Sequence, residues 1–221
     1  MKNTVKQMLE EIQRDAEYTD SMTGIKKFKD ETLSAFKKVP RDAFVPDHLK
    51  HMAFQNSPLP IGHGQTISQP YIVALMTELL NIKPDHTILE IGTGSGYQSA
   101  ILSTLCKQVY TVELITELST SAKKRFEELH YDNIEAVPGN GYDGFPKYAP
   151  YDGIIVTAAA THIPQPLIEQ LKAGGNLVIP LNVSALHQEL MLLEKDLQGN
   201  TQIRRILGVM FVPLIDAPVK K

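Results

Sequence analysis

The amino-acid sequence predicts an α/β fold: a doubly wound, mostly parallel sheet with helices on both faces, a C-terminal antiparallel hairpin and an N-terminal helical extension. Three observations lead to this prediction. From residue 70 onwards, short apolar strands alternate with helical segments, which is typical of a mostly parallel sheet. A glycine-rich loop joins the first of these strands to a helix. Ahead of the alternation, apolar residues recur at helical spacing.

The N-terminal part is predicted to be helical and then irregular. The first helix is indicated by apolar residues three or four positions apart, namely Val5, Met8, Leu9, Ile12 and Ala16. Residues 18–24 are interpreted as a loop. A second helix, Asp30–Lys38, is expected to end before Pro40, because the residue before a proline avoids helical backbone angles. Residues 39–69 hold many turn formers and are predicted to be irregular. Pro70 suits the first turn of the next helix.

The alternating part supplies the sheet. Its helices are predicted at residues 96–104, 116–129 and 166–171, the last stopped by the glycine pair at 174–175. Its strands are predicted at Thr87–Ile91 and at residues 108–112, 134–137, 153–156 and 176–181, followed by a hairpin that turns at 196–200. The chain is interpreted as one domain in three parts: residues 1–69 on the substrate side, 70–182 as the cofactor-binding core, and 183–221 as C-terminal strands.

Composition excludes several functional classes. The chain has 221 residues, of which 43% are hydrophobic and 21% charged, enough for one full core. The net charge is −3, and without a basic run we expect no nucleic-acid or membrane partner. No signal-peptide pattern is recognised at the N-terminus. The lone Cys106 is predicted to be buried, which fits a cytoplasmic protein. We expect a monomer.

A glycine loop is the sharpest local signal. Residues 90–96, EIGTGSG, follow a predicted strand and open a helix, where glycines allow a tight turn close to a ligand. The dinucleotide fingerprint requires G-x-G-x-x-G, but its third glycine would fall on Tyr97 or on Ser99. A nicotinamide dehydrogenase is therefore the weakest interpretation. The loop instead resembles the first motif of S-adenosylmethionine methyltransferases, whose cofactor carries an adenosine and an amino-acid tail.

Two further positions are candidates for cofactor binding. Glu113 ends the second strand, 21 residues after Gly92, and an acid at about this separation accepts hydrogen bonds from ribose hydroxyls. Asn140 and Gly141 follow the third strand. The asparagine amide could meet the edge of an adenine, or the Asn-Gly pair could form a plain turn.

A more specific resemblance covers residues 39 to 214. The segment 59–70 resembles the signature loop of the protein-L-isoaspartate O-methyltransferase family, and five other segments match that family in the same order. These segments are 39–46 (VPRDAFVP), 89–98 (LEIGTGSGYQ), 149–160 (APYDGIIVTAAA), 168–175 (IEQLKAGG) and 211–214 (FVPL).

The resemblance implies methyl transfer from S-adenosylmethionine to the α-carboxylate of L-isoaspartyl residues in damaged proteins. It assigns the active-site role to Ser68 and substrate binding to Thr66 and Ser68. It implies that the cofactor is bound by Glu90, Gly92, Thr93, Gly94, Glu113, Asn140 and Gly141. The chain departs from the family in three places: Asn140 replaces the usual aspartate of Gly-Asp-Gly, the glycine expected near residue 182 is absent, and residues 1–38 match poorly.

The residue types of the signature loop suit this reaction. A carboxylate with a pKa near ~3.5 is already ionised at neutral pH, so it needs no general base. Ser68 and Thr66 can donate hydrogen bonds to it without neutralising it, and they precede a helix whose first N–H groups favour an anion. We therefore assign Ser68 a positioning role and not covalent attack. The competing interpretation is that Ser68 only caps the helix.

Other activities remain as alternatives. His63 and His162 lie outside any metal-ligand spacing, so no metal site is expected. A methyltransferase with another carboxylate or small-molecule substrate would share the same scaffold. A non-catalytic protein that senses S-adenosylmethionine would bind the cofactor without transferring its methyl group. Turnover of isoaspartyl peptides separates these alternatives from the repair enzyme.

Overall fold

The computed structural model describes residues 4–184 and 187–216. Its helices are α1 Val5–Thr23, α2 Asp30–Lys38, α3 Pro70–Leu79, α4 Tyr97–Ser103, α5 Thr116–Glu128 and α6 Gln165–Gln170. Its strands are β1 Leu59–Gly62, β2 Gln65–Ile67, β3 Thr87–Ile91, β4 Gln108–Glu113, β5 Ile134–Pro138, β6 Tyr151–Val156, β7 Leu171–Ser184, β8 His187–Lys195 and β9 Thr201–Val209. The predicted fold class is confirmed.

The main sheet has seven strands in the order β5-β4-β3-β6-β7-β8-β9. Strands β3 to β7 pair in parallel, whereas β7, β8 and β9 pair antiparallel. The chain starts at the central β3, builds outwards to β5, and then crosses to β6 on the other side of β3. Loops that leave β3 and β6 therefore diverge at this point, which is where ligands bind in sheets of this type.

Both faces of the central strands are buried. Along β3, Ile88 belongs to one apolar cluster, with α1 to α5, and Leu89 to a second, with α6. Along β6, Ile155 and Ile154 divide in the same way. Since a strand covered on both faces needs apolar residues on both, consecutive apolar residues mark these strands in the sequence, at 88–89 in β3 and 154–156 in β6. The predicted burial of Cys106 is also confirmed.

The predicted loop at residues 18–24 is wrong. Helix α1 continues to Thr23 and ends at Gly24, which has a φ of 71°. The last turns carry Thr19 and Thr23, which are buried although they are polar. The Thr19 hydroxyl bonds to the hydroxyl of Tyr71 in α3. A tertiary contact therefore stabilises a helical turn that has no apolar periodicity.

Two other predictions need correction. Residues 39–69 are more ordered than predicted: they contain two 3-10 helices, Arg41–Phe44 and Asp47–Met52, and the hairpin of β1 and β2. Helix α6 ends at Gln170, so the glycine pair at 174–175 does not stop it. The pair instead lies inside β7, beside an irregularity in its pairing with β6. Glycine in a strand commonly marks such an irregularity.

Candidate active site

A cleft of about 830 Å³, including the open solvent at its mouth, lies at the carboxyl ends of β3, β4 and β6. Its walls include four segments that are far apart in sequence: the end of the β1–β2 hairpin, the glycine loop, the end of β4 and the C-terminal segment 212–215. Of the predicted site residues, eight line it: Thr66, Ser68, Glu90, Gly92, Thr93, Gly94, Glu113 and Gly141.

The glycine loop needs its first glycine for two reasons. Gly92 has a φ of 94°, which L side chains rarely adopt, and a Cβ there would lie 2.4 Å from Oγ1 of Thr157. Thr157 occupies that space because its hydroxyl donates to the Gly92 carbonyl over 2.6 Å. The Thr93 hydroxyl bonds to that of Thr111 at 2.7 Å. The loop is therefore anchored to both neighbours of β3, with its backbone lining the cleft.

Glu113 fixes the same loop from the end of β4. Its Oε2 accepts a 2.8 Å hydrogen bond from the N–H of Gly94, and its Oε1 accepts a 2.9 Å bond from the N–H of Ile115. Only 7% of the residue is exposed. Each carboxylate oxygen can accept a second hydrogen bond. Glu113 therefore has capacity left for a pair of hydroxyl donors in the cleft.

Glu90 is the most unusual group in the cleft wall. It is fully buried; its Oε2 accepts a hydrogen bond from Ser99, and its Oε1 has no partner among the residues the structure describes. Burial raises the pKa of Glu90 to about 8, against the opposing effect of the Ser99 bond and of the nearby Thr111 hydroxyl. Glu90 therefore lines the cleft with one oxygen that has no partner among the described residues, and an ammonium group bound beside it would favour its carboxylate form.

The β1–β2 hairpin presents the predicted substrate-binding residues. Ile67 is buried, whereas Thr66 is exposed and Ser68 is half-buried. Ser68 does not cap α3: the N-cap is Gln69, and no side chain caps that end. The expectation that the first N–H groups of α3 are free fails for Tyr71, whose N–H donates to the Asn56 side chain over 2.9 Å. The Ser68 hydroxyl has no partner in the described part of the chain.

Asn140 lies at the margin of the cleft. Its Nδ2 donates to Oδ1 of Asp216 over 2.8 Å, and its Oδ1 accepts from the N–H of Tyr142 over 3.1 Å. Its neighbour Gly141 lines the cleft, where a Cβ would lie 2.4 Å from Ile91. Sequence analysis did not assign the segment 212–215 to the site, although the matching motif FVPL was visible there.

The residues present fit S-adenosylmethionine. A cleft of this size suits a ligand of that class, Glu113 can accept from ribose hydroxyls, and the free oxygen of Glu90 can accept from an amino group. Across residues 4–184 and 187–216, no group of three or more His, Cys, Asp or Glu side chains is arranged to hold a metal ion. In the same part of the chain, every helix is too short or too polar to cross a membrane.

Comparison with known proteins identifies the family. The family model described as protein-L-isoaspartate(D-aspartate) O-methyltransferase matches residues 4–218. The protein-L-isoaspartate O-methyltransferase 2 of Polaromonas sp. (strain JS666) is 52% identical over 207 residues, which cover 94% of this chain and 98% of that protein.

Two solved structures share the fold. A protein-L-isoaspartate O-methyltransferase structure has a TM-score of 0.82 at 26% identity, covering 95% of this chain and 65% of the other. A Plasmodium falciparum protein in complex with S-adenosyl-L-homocysteine has a TM-score of 0.79 at 24% identity, covering 96% of this chain and 99% of the other. The chain therefore belongs to the protein-L-isoaspartate(D-aspartate) O-methyltransferase family and is an S-adenosylmethionine-dependent methyltransferase, as its motifs predicted.

Proposed function

We propose that the chain transfers a methyl group from S-adenosylmethionine to the α-carboxylate of L-isoaspartyl residues in damaged proteins, with Ser68 and Thr66 binding that carboxylate. One observation carries the proposal: the β1–β2 hairpin and the glycine loop line the same cleft. A carboxylate bound at the hairpin therefore lies beside a cofactor bound at the glycine loop.

The cofactor side is assigned to seven residues. When bound, S-adenosylmethionine supplies the electrophilic methyl group of its sulfonium. Glu113 accepts hydrogen bonds from the ribose hydroxyls, and Glu90 accepts from the amino group of the methionine tail. Backbone groups of Gly92, Thr93 and Gly94 line the tail, whereas Gly141 and Asn140 border the adenine. This assignment is supported by the unpartnered Oε1 of Glu90 and by the remaining acceptor capacity of Glu113.

The substrate side positions an anion. The hydroxyls of Ser68 and Thr66 donate to the α-carboxylate and leave it charged, so one of its oxygens can attack the methyl carbon in line with the departing sulfur. No residue has to remove a proton, which agrees with the absence of carboxylates from the segment 59–70. The methyl ester then closes to a succinimide without the enzyme, and hydrolysis of the succinimide returns part of the damaged sites to aspartate.

The wider assignments follow from the same site. We assign residues 1–69 to the substrate side, 70–182 to cofactor binding and 183–221 to the C-terminal strands. Residues 1–3, 185–186 and 217–221 of these parts lie outside the described residues. The enzyme acts as a cytoplasmic monomer on proteins and peptides, without a nucleic-acid partner. The net charge of −3, without a basic run in the sequence, does not favour binding to a polyanion such as nucleic acid.

The test uses methyl-labelled S-adenosylmethionine and two peptides that differ only in L-isoaspartate against normal aspartate. We expect base-labile label on the isoaspartyl peptide alone. Ser68→Ala should lower kcat/KM roughly 10- to 100-fold, the usual effect of losing a hydrogen bond to a charged group, with the Kd for S-adenosylmethionine unchanged. The matched control is Ser121→Ala, an exposed serine on α5.

Two outcomes would contradict the proposal. Label on neither peptide, with cofactor binding intact, would indicate a methyltransferase with another substrate or a sensor protein. A full rate in Ser68→Ala would remove Ser68 from the mechanism while leaving the reaction in place.

A further inference from the structure

Arg41 is a fully buried cation without an anionic partner. It opens the first 3-10 helix, and its exposed fraction is 0%. Arginine is almost never fully buried unless it is paired, yet no carboxylate among the described residues lies within 4.0 Å of this guanidinium. Burial lowers the pKa of Arg41 to about 10, so the side chain keeps its charge at neutral pH. Burial of an unpaired charge is unfavourable, which suggests that Arg41 has a functional role.

The guanidinium is bonded to the two ends of the segment that carries the hairpin. Its Nε donates to the carbonyl of Ala53 over 2.8 Å, and its Nη2 donates to the carbonyl of Ser68 over 2.8 Å. A weaker bond runs from Nη2 to the carbonyl of Ser57, over 3.4 Å. Since a guanidinium is planar and rigid, these bonds fix the backbone of Ser68 relative to Ala53.

The same guanidinium also contacts a residue on the cofactor side. Its central carbon is 4.8 Å from the centroid of the Tyr97 ring. Tyr97 is the first residue of α4, directly after the glycine loop, and it is buried in the cleft wall. Phe44 and Phe36 pack edge-on against the Tyr97 ring and hold it in place. Arg41 therefore connects the carbonyl of Ser68 to the start of the cofactor helix through one rigid group.

We propose that Arg41 is a positioning residue for methyl transfer, which sets the distance between Ser68 and the glycine loop and whose unneutralised charge favours an anionic substrate. This inference rests on the role proposed for Ser68. Methyl transfer requires in-line geometry, and a misplacement of about 1 Å can cost roughly 100-fold in rate. A buried positive charge also acts through a low dielectric, so it attracts a carboxylate more strongly than an exposed lysine would.

The test is a double-mutant cycle on the isoaspartyl peptide, with Arg41→Lys, Ser68→Ala and the two combined. Lysine keeps the charge, but its compact ammonium lacks the rigid planar fork that joins the carbonyls of Ala53 and Ser68 to the Tyr97 ring. We expect Arg41→Lys to lower kcat roughly 10- to 100-fold, with KM for the peptide and the Kd for S-adenosylmethionine within about threefold of wild type. In the Ser68→Ala background, the same substitution should cost less than about threefold, because it acts through Ser68.

A second variant tests the charge, and a third tests mere loss of stability. Arg41→Met removes the charge and should raise KM for the isoaspartyl peptide as well as lower kcat. Leu193→Ala opens a cavity in the core of β8, away from the cleft, and lowers Tm. We expect this control to retain a kcat within about twofold of wild type at assay temperatures below its Tm, since active-site geometry is unchanged.

The outcomes separate the two proposals. A full rate in Ser68→Ala contradicts the role of Ser68, whatever Arg41 does. If Ser68→Ala is slow and Arg41→Lys lowers kcat by the same factor in that variant as in wild type, the role of Ser68 stands and the role of Arg41 is contradicted. If Arg41→Lys does not fold, Tyr97→Leu replaces it in the cycle, because it removes the ring against the guanidinium and leaves Arg41 bonded to Ser68. An additive cost in that cycle also overturns the proposal.

Discussion

The two sides of the cleft are supported in different ways. On the cofactor side, the loop after β3 is held by strands on both sides, through Thr157 after β6 and Thr111 in β4. On the substrate side, the β1–β2 hairpin forms a separate two-stranded sheet. Its end at Ser68 is held by the side chain of Arg41 and not by a strand of the main sheet.

This difference predicts that the affinity for the cofactor and the rate of methyl transfer depend on different sides of the cleft. The cofactor side uses backbone conformation and buried acids, so substitutions there should act on the affinity for S-adenosylmethionine. The substrate side uses two hydroxyls on a small hairpin, so substitutions there should act on the rate of methyl transfer and spare cofactor binding. Each prediction below tests one part of this division.

The largest effect is expected for Gly92→Ala. Left-handed backbone costs an alanine about 1–2 kcal/mol, and the new Cβ would lie 2.4 Å from Oγ1 of Thr157, which would have to give up its bonds to the loop. We expect the Kd for S-adenosylmethionine to rise roughly 100-fold and Tm to fall, because strain, clash and lost hydrogen bonds combine. Calorimetric titration and thermal melting measure the two effects.

The matched control is Gly199→Ala in the β8–β9 turn. Gly199 has a φ of 88°, but nothing lies within 4 Å of its added Cβ. This variant should lose a few degrees of Tm, about the effect of 1 kcal/mol in a chain of this size, and bind the cofactor normally. Equal losses of affinity in the two variants would show that Thr157 does not secure the loop.

Glu90→Gln is expected to weaken cofactor binding less than Gly92→Ala, and to raise stability where Gly92→Ala lowers it. Burial holds the pKa of Glu90 at about 8, above its ordinary value of 4.5. Between these two pH values the folded protein keeps a proton that the unfolded chain has lost, so the free energy of unfolding of the cofactor-free protein should fall as pH rises through the window. The fall is at most about 1.4 kcal/mol per pH unit.

Glutamine removes the titration at this position. Thermal melts from pH 5 to pH 9 should show a steeper decline for wild type than for Glu90→Gln, and the variant should be more stable at pH 8. Its Kd for S-adenosylmethionine should nevertheless rise roughly 10-fold, because the cofactor loses a bond to a carboxylate. Identical pH profiles would contradict the raised pKa of Glu90, and an unchanged Kd would contradict its contact with the cofactor.

The same division explains what the sequence could predict. The strand β3 was predicted to the residue, and the glycine loop was located, because an apolar run and a G-x-G pattern are local signals. Residues 39–69 were interpreted as irregular, because what orders them is a buried side chain that bonds to carbonyls 12 to 27 residues away. Sequence shows an arginine at position 41 but not its burial. The same holds for the end of α1, where Thr19 is buried by its contact with Tyr71.

The smallest effect concerns Asn140, on which the sequence and the structure lead to different expectations. The sequence suggested that its amide meets the adenine, whereas the structure shows the amide bonded to Asp216, next to the segment 212–215 that lines the cleft. If Asn140 only holds that segment, Asn140→Ala and Asp216→Ala should weaken cofactor binding equally, by about threefold or less, as expected for an exposed hydrogen bond.

Asn140→Asp then sharpens the test, because it restores the family's aspartate but sets a second carboxylate against Asp216, which disfavours the pair. If Asn140 only holds the segment 212–215, Asn140→Asp should bind S-adenosylmethionine more weakly than wild type at low salt. Its affinity should then rise with salt concentration, because salt screens the repulsion. If Asn140 contacts the adenine, Asn140→Asp should bind S-adenosylmethionine more tightly, because a charged acceptor strengthens the bond to the adenine amino group. The direction of the change in Kd for Asn140→Asp therefore decides between the two roles.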